Sequence, residues 1–281
     1  MNAALDHLVI NARFELDAAQ AIFAGLGFTL TPRGHHSLGS INHLIMFEEG
    51  YLELIGLPKD GERLRQEILD SSLGIDGLVL ASDDPQQTRE ALIDQGFEAQ
   101  PVQHFSRPVH IKGVPHDARF GTVRLVPGQF AAGRVYFCHH QTPELVWRPE
   151  WLGHANGAQG IERLTVVSAQ PSSARLAFER LALAASGQGG TRVADQAASP
   201  ELQSRRFHVE VLDAQGWEQR AGAQAAFSGE RAERFVSIGL RGDDFDQLAQ
   251  RAERLQLPSR REERRLIIAI PALDTVLEFL R

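Results

Sequence analysis

The sequence predicts an α+β fold built from repeated βαβββ units that form curved mixed sheets, four units in two cups. Three observations carry this. An apolar start, Leu5-Asp6-His7-Leu8-Val9-Ile10, recurs position by position as Ile75-Asp76-Gly77-Leu78-Val79-Leu80. Each start leads into a helical stretch that ends in Gly-Phe, at Gly27-Phe28 and at Gly96-Phe97. Two weaker starts, at Ile161 and Arg234, repeat the plan downstream.

In the first unit, Leu5 to Ile10 reads as a strand. Asp17 to Leu26 places Ala18, Ile22, Phe23 and Leu26 on one helical face, and Gly27 closes it as a C-cap glycine. Thr29 to Thr31, Ile41 to Phe47 and Tyr51 to Leu57 read as strands, with turn-rich sequence from Pro32 to Ser40. In the second unit, Pro85 to Gln95 is a helix with proline at its first position. Arg134 to Cys138 is a strand, and Thr142 to Val146 takes the place of the Gly50–Ile55 strand. Between them, Gln103 to Gly133 reads as a long insertion. Residues 152–160 form a linker, which divides the chain into an N-terminal pair of units (1–151) and a degenerate C-terminal pair (161–281). The C-terminal pair reads as a strand from Ile161 to Ser168, a helix from Pro171 to Ala184, a glycine-rich turn from Gly187 to Gly190 and a strand from Phe207 to Leu212. A strand from Arg234 to Leu240 follows, then a helix from Asp243 to Leu255 and strands at Leu266–Ile270 and Thr275–Leu280.

The 281 residues suffice for one large or two ordinary domains with a real core. A formal net charge of −7 and a pI near 5.9 argue against a nucleic-acid footprint. A lone cysteine, Cys138, excludes an internal disulfide and fits a reducing compartment. With early charges and no long apolar run, the expectation is a cytoplasmic protein away from membranes. Its expected partner is a small-molecule substrate, with neither nucleic acid nor membrane, and a homodimer is compatible with the chain.

Strand side chains alternate faces, so His7 lies with Leu5 and Val9, and Glu53 with Tyr51 and Ile55. A glutamate among apolar residues in a strand is costly unless it is paired or holds a metal. Glu53 and Glu144 sit at matching repeat positions, with His7 on a partner strand. Imidazole plus carboxylates suits one divalent ion such as Zn, Fe, Mn or Ni. The bland alternative is a half-buried histidine and two glutamates on a solvated sheet face. His36 and His43 are candidate substrate contacts, as is Arg148 beside Trp147 and Trp151. The insertion carries His104, Arg107, His110, Lys112 and His116, a set able to contact an anion from a lid.

The unit that opens LDHLVI and ends GYLELIG, repeated as IDGLVL and TPELVW, resembles the vicinal oxygen chelate superfamily. Within it, PRGHHSLGSINHLIMFEEGYLELIGLP is similar to glyoxalase-like proteins, and the likeness spans residues 4 to about 167. The resemblance implies a glyoxalase/dioxygenase-like cup that holds one divalent metal on the first and last strands of its units. Carried across, the ligands are His7, Glu53 and Glu144, with His139 or His140 as a compensating ligand because Gly77 occupies the remaining position. Arg163 at the histidine position of the third unit implies a metal-free second cup. The implied function is a glyoxalase-like metalloenzyme of lyase or isomerase type, acting on a small oxygen-rich metabolite that can carry a carboxylate. Glu53 or Glu144 would be its base. The alternatives are an extradiol-type ring-cleaving dioxygenase and a metal-free, resistance-type binding protein.

Overall fold

The computed structural model describes residues 4–36, 38–60, 64–111, 113–186, 207–222 and 231–281. It is α+β with two curved mixed sheets. The first sheet contains β1 (Leu5–Arg13), β2 (Gly34–His35), β3 (Ile41–Met46), β4 (Tyr51–Gly56), β5 (Gly74–Ala81), β6 (Gln103–Ile111), β7 (Val114–Arg124) and β8 (Arg134–His140), in the order β2-β3-β4-β1-β5-β8-β7-β6. Its helices are α1 (Leu16–Gly25), α2 (Gln66–Asp70) and α3 (Pro85–Asp94). The second sheet contains β9 (Gly160–Ser168), β10 (His208–Leu212), β11 (Glu233–Arg241), β12 (Ser259–Arg261), β13 (Arg265–Ile270) and β14 (Thr275–Leu280), in the order β10-β9-β11-β14-β13-β12. With it come α4 (Pro171–Ser186), α5 (Ala214–Ala221) and α6 (Phe245–Arg254).

The paired starts become paired strands. β1 and β5 lie side by side, antiparallel, at the centre of the first sheet, and each pairs in parallel with the last strand of its own unit, β4 or β8. The two Gly-Phe signals cap helices: Gly27 and Gly96 hold φ of 91° and 76°, the left-handed region that glycine enters without strain. Asp84 caps α3 by accepting from the backbone N–H of Gln86 and Gln87.

Three expectations for the first half change. Thr29–Thr31 is not a strand, and the short second strand is instead Gly34–His35 in the turn-rich stretch. The Gln103–Gly133 insertion is the β6–β7 hairpin, so β8 is the last strand of the second unit. Thr142–Val146 is not a strand either: proline at its first turn position starts a 3-10 turn, Pro143–Leu145.

In the second sheet, β9 and β11 pair as β1 and β5 do, and β14 pairs with β11 as β8 does with β5. The third start yields β9, α4 and β10 among the described residues, short of a full βαβββ unit. The Gly187–Gly190 turn lies outside the described residues.

One apolar cluster joins the halves through the helix layer. Phe28 stacks on Phe279 and Phe130 packs on Phe178, at ring-centroid separations of 6.2 and 4.9 Å. The 152–160 segment takes part: Asn156 is fully buried, and His154 accepts from the Thr29 N–H while its Nε2 donates to the Met46 carbonyl. The opposite face of the first sheet, with Val9, Leu44, Ile55, Phe120 and Tyr136, lines a separate hollow. Its edges approach each other, since a Cβ on Gly34 of β2 would sit 3.5 Å from the Arg107 guanidinium of β6. The sheet is therefore nearly a barrel. Among the described residues no helix is long and apolar enough to cross a membrane.

Candidate functional site

The hollow is a cavity of about 540 Å³. His7 and Glu53 reach into it from adjacent central strands, β1 and β4, and both are buried. His7 Nε2 lies 3.7 Å from Glu53 Oε2 and 3.3 Å from the Tyr136 hydroxyl. The His7 ring stacks on Tyr51 with centroids 4.4 Å apart.

Asp6 holds the other side of the imidazole. Its carboxylate accepts from His7 Nδ1 at 2.5 Å and from His140 Nε2 at 3.1 Å. With Nδ1 donating, the Nε2 of a neutral His7 turns a lone pair into the cavity. Strict alternation would send Asp6 to the opposite face from His7. A register shift between Leu5 and His7 in the β1–β5 ladder re-aims it, as bulges do beside active sites. Burial pushes the Asp6 carboxyl up, but hydrogen bonds and charge from His140 and His7 outweigh it and leave the group below its ordinary range.

Glu53 is similarly poised. Burial raises its carboxyl, and His36, His7 and the Asn42 amide more than reverse the effect, so it is ionised. Asn42 donates to Oε1 at 2.7 Å, while Oε2 stands closest to His7. His36 Nε2 lies 4.0 Å from Oε1, and its Nδ1 bonds the Ser40 hydroxyl at 2.8 Å. Burial keeps His36 neutral and, together with the Glu53 charge, pushes the Tyr136 phenol up. Glu53 thus brings a negative charge to the cavity side of His7, with Asp6 on its other side, and the Tyr136 hydroxyl keeps its proton and can donate a hydrogen bond.

Of the sequence-predicted residues, His7, Glu53 and His36 come together. Glu144 does not: it is exposed on the Pro143–Leu145 turn. Register puts Tyr136 in its place, because Val79 pairs with Tyr136 as Val9 pairs with Glu53. His43 points to the helix side, where its Nδ1 bonds the Thr31 carbonyl at 2.8 Å; its neighbour Asn42 faces the cavity instead. Arg148 pairs with Glu150 outside the hollow. His140 sits behind His7, against Asp6 and packed edge-on to Trp147 and Phe120. His139 Nδ1 is 2.9 Å from the Ser82 carbonyl. Of the insertion, His104 and Arg107 line the cavity and His116 is exposed. Lys112 and the His110 side chain lie outside the described residues.

Among the described residues of this cup, two groups have the chemistry for a cation. His7 Nε2 and Glu53 Oε2 fit one divalent ion: metal bonds of about 2.0–2.2 Å to nitrogen and oxygen let ligand atoms up to about 4 Å apart share it. Asp6, Cys138 and His140 bring ligand atoms within 4.8 Å of one another. There, however, the Asp6 carboxylate already bonds two imidazoles, and burial beside Asp6 and Glu53 pushes the Cys138 thiol well up. The remaining strand position is closed. A Cβ on Gly77 would come within 2.8 Å of Val9 Cγ2, so a ligand side chain has no room.

The far wall is cationic. Arg65, Arg124 and Arg134 converge on Glu67 of α2, and Arg134 Nε also donates to Asp76 at 2.6 Å. Burial works against the Glu67 charge, yet Arg124, Arg134 and Arg65 bring its pKa from the usual 4.5 to about 2. A depressed carboxylate stabilises the fold fully above its unfolded pKa, and that contribution disappears as the pH falls through the folded one. Acid titration of Glu67→Gln should therefore lack a stability loss that the wild type shows between about pH 4.5 and 2; melting curves across that window measure it.

Asp6, Asn42, Tyr136 and this arginine cluster escape a reading by alternation and repeats. Asn42 had a signal in its parity with Leu44, but the others depend on a bulge or on the β7–β8 register.

A family model described as a glyoxalase-like domain matches residues 5–182. No curated protein sequence matches the chain. Among solved structures, the chain is similar to a hypothetical protein from Staphylococcus aureus, with 13% identity, TM-score 0.62 and 98% of each chain covered. It is also similar to a triple mutant of 4-hydroxymandelate synthase from Streptomyces coelicolor, with 12% identity, TM-score 0.52 and 99% and 92% covered. A third is a xylose isomerase-like TIM barrel/4-hydroxyphenylpyruvate dioxygenase fusion protein, with 11% identity, TM-score 0.55 and 99% of this chain against 49% of that one. At these identities the likenesses show the fold.

Proposed function

Because the chain belongs to the glyoxalase-like domain family of the vicinal oxygen chelate superfamily, we propose that its first cup is a divalent-metal site that moves a proton on a small oxygen-rich molecule. The reading rests above all on the His7–Glu53 pair, 3.7 Å apart in the lining of the cavity.

His7 and Glu53 would hold the ion, which supplies Lewis acidity to a substrate oxygen when bound. Asp6 fixes the His7 tautomer, and Asn42 holds one Glu53 oxygen so that the other faces the reacting centre. Glu53 would also be the base, its Oε2 exchanging the ion for the proton, because Glu144 is exposed on its turn and does not line the cavity. The Tyr136 hydroxyl, 3.3 Å from His7 Nε2, can donate to a developing oxyanion. Leu44, Ile55 and Phe120 line the space and limit water. This is proton transfer next to a carbonyl, of the lyase or isomerase class. A ring-cleaving dioxygenase would ask for a second histidine where Gly77 stands. A metal-free binding protein is the second reading, favoured by Gly77 and Tyr136 at two of the four strand positions.

Calorimetric titration with Zn²⁺ or Mn²⁺ tests the proposal. The wild type should take up close to one ion per chain. Asp6→Asn should weaken uptake by about 10–100-fold, and His7→Ala by at least as much. Glu144→Gln should bind as the wild type does. No uptake by the wild type would leave the binding-protein reading, and unchanged uptake in His7→Ala would overturn the site.

A further inference from the structure

We propose that Arg124 and Arg134 form a carboxylate-binding subsite, so that the ligand of the cup is an organic acid held by its carboxylate at these guanidiniums with its other oxygens toward His7. This rests on the first cup being a ligand site and names the class of ligand.

Strand pairing builds the subsite. β7 and β8 are antiparallel, and their cup-facing residues include Thr122 and Arg124 opposite Cys138 and Tyr136. Arg124 therefore lies directly across from Tyr136, with its guanidinium carbon 5.1 Å from the centre of that ring. Arg134 is two residues before Tyr136 on the same face.

Both guanidiniums line the cavity and are anchored from one side. Glu67 Oε1 accepts from Arg124 Nη1 at 2.7 Å and from Arg134 Nη1 at 3.1 Å, and Asp76 takes Arg134 Nε. Arg124 Nε and Arg134 Nη2 are buried and have no hydrogen-bond partner among the described residues. Buried N–H groups of a charged side chain are seldom left unmet, because desolvation without a bond is costly. Among the described residues, three guanidiniums here pair with two carboxylates, Glu67 and Asp76, which leaves positive charge in excess. A planar carboxylate offers the lone pairs that two such donors require.

The rest of the cavity describes the body of the ligand. Phe105 and Phe120 stack 5.1 Å apart along one wall, so an apolar, flat portion is accommodated. The Tyr136 ring separates the arginines from His7, with its face toward Arg124 and its hydroxyl at His7 Nε2. A ligand that engages both ends spans that ring.

The test uses a matched pair that differs only in charge, 2-naphthoate and 2-naphthamide, titrated into the full-length, metal-loaded protein. The wild type should bind the acid at least tenfold more tightly than the amide. Arg124→Gln and Arg134→Gln should each remove most of that preference and leave amide binding unchanged. Arg134 also ties down Asp76, so where Arg134→Gln melts early, Arg124→Gln carries the test alone. Metal uptake should persist in Arg124→Gln, which separates failure of this subsite from failure of the metal reading. Equal binding of acid and amide, no binding of either, or a preference that survives Arg124→Gln would overturn the proposal.

Discussion

Glu278→Ala is expected to lower the melting temperature of the protein by roughly 10 °C, corresponding to about 3–5 kcal/mol for breaking a buried ion pair. Glu278 is fully buried in β14. It accepts from the Ser237 hydroxyl at 2.6 Å, Arg163 Nη2 at 3.0 Å and Arg265 Nη1 at 3.2 Å. Removing it takes the shared carboxylate from two largely buried guanidiniums, leaving Arg163 with Glu210 and Arg265 with Glu262, and opens a void beside them. Arg163 also faces Glu210, which Arg220 holds in turn. Register shows what this network replaces. Arg163 pairs with His208 and Gly239 as His7 pairs with Tyr51 and Val79, so Arg163 stands where His7 does. Glu210 then falls at the place of Glu53, and Glu278 at that of Tyr136. The second cup is filled with salt bridges at the positions where the first keeps its cavity groups. Glu278→Gln, which keeps an acceptor but not the charge, should lose less than Glu278→Ala. Scanning calorimetry measures both, and a loss below about 2 °C in Glu278→Ala would show that the network contributes little.

The second large effect concerns the chain cut after Gly160. Although the first cup lies within the first sheet, the fragment should aggregate or purify only as a partly folded species. The apolar helix layer is shared: Phe28 would lose Phe279, and Phe130 would lose Phe178. Leu181 and Leu248, both fully buried, belong to the same continuous cluster as Phe23 and Leu92. Exposing a contiguous apolar surface of this kind favours association. Size-exclusion chromatography and a near-ultraviolet dichroism spectrum decide the matter. A monodisperse fragment with native tertiary signal would show that the halves fold independently.

What could be read from the sequence follows from which signals are local. The paired starts at Leu5 and Ile75, and the Gly-Phe helix ends, are short-range patterns, and both became the central antiparallel pair and its caps. His7 and Glu53 followed from alternation within single strands. Glu144 failed because a repeat was aligned by spacing: proline at 143 starts a turn, and the true last strand had already passed at Arg134–His140. The same misalignment concealed Tyr136 and made a paired hairpin read as an insertion. His43 failed by parity, since the face shared with Ile45 and Phe47 packs on the helices. Asp6 lay beyond alternation altogether, because the bulge that turns it toward His7 exists only in the ladder with β5. The arginine cluster joins α2, β7 and β8, whose proximity no local pattern encodes.

The measurement that bears most directly on the central claim is an anomalous-difference map from crystals of the untagged protein soaked in Zn²⁺ or Mn²⁺ and collected at the edge of that metal. A single strong peak between His7 Nε2 and Glu53 Oε2 is the expected result. A peak among Asp6, Cys138 and His140 instead, or no peak in the first cup, would contradict it.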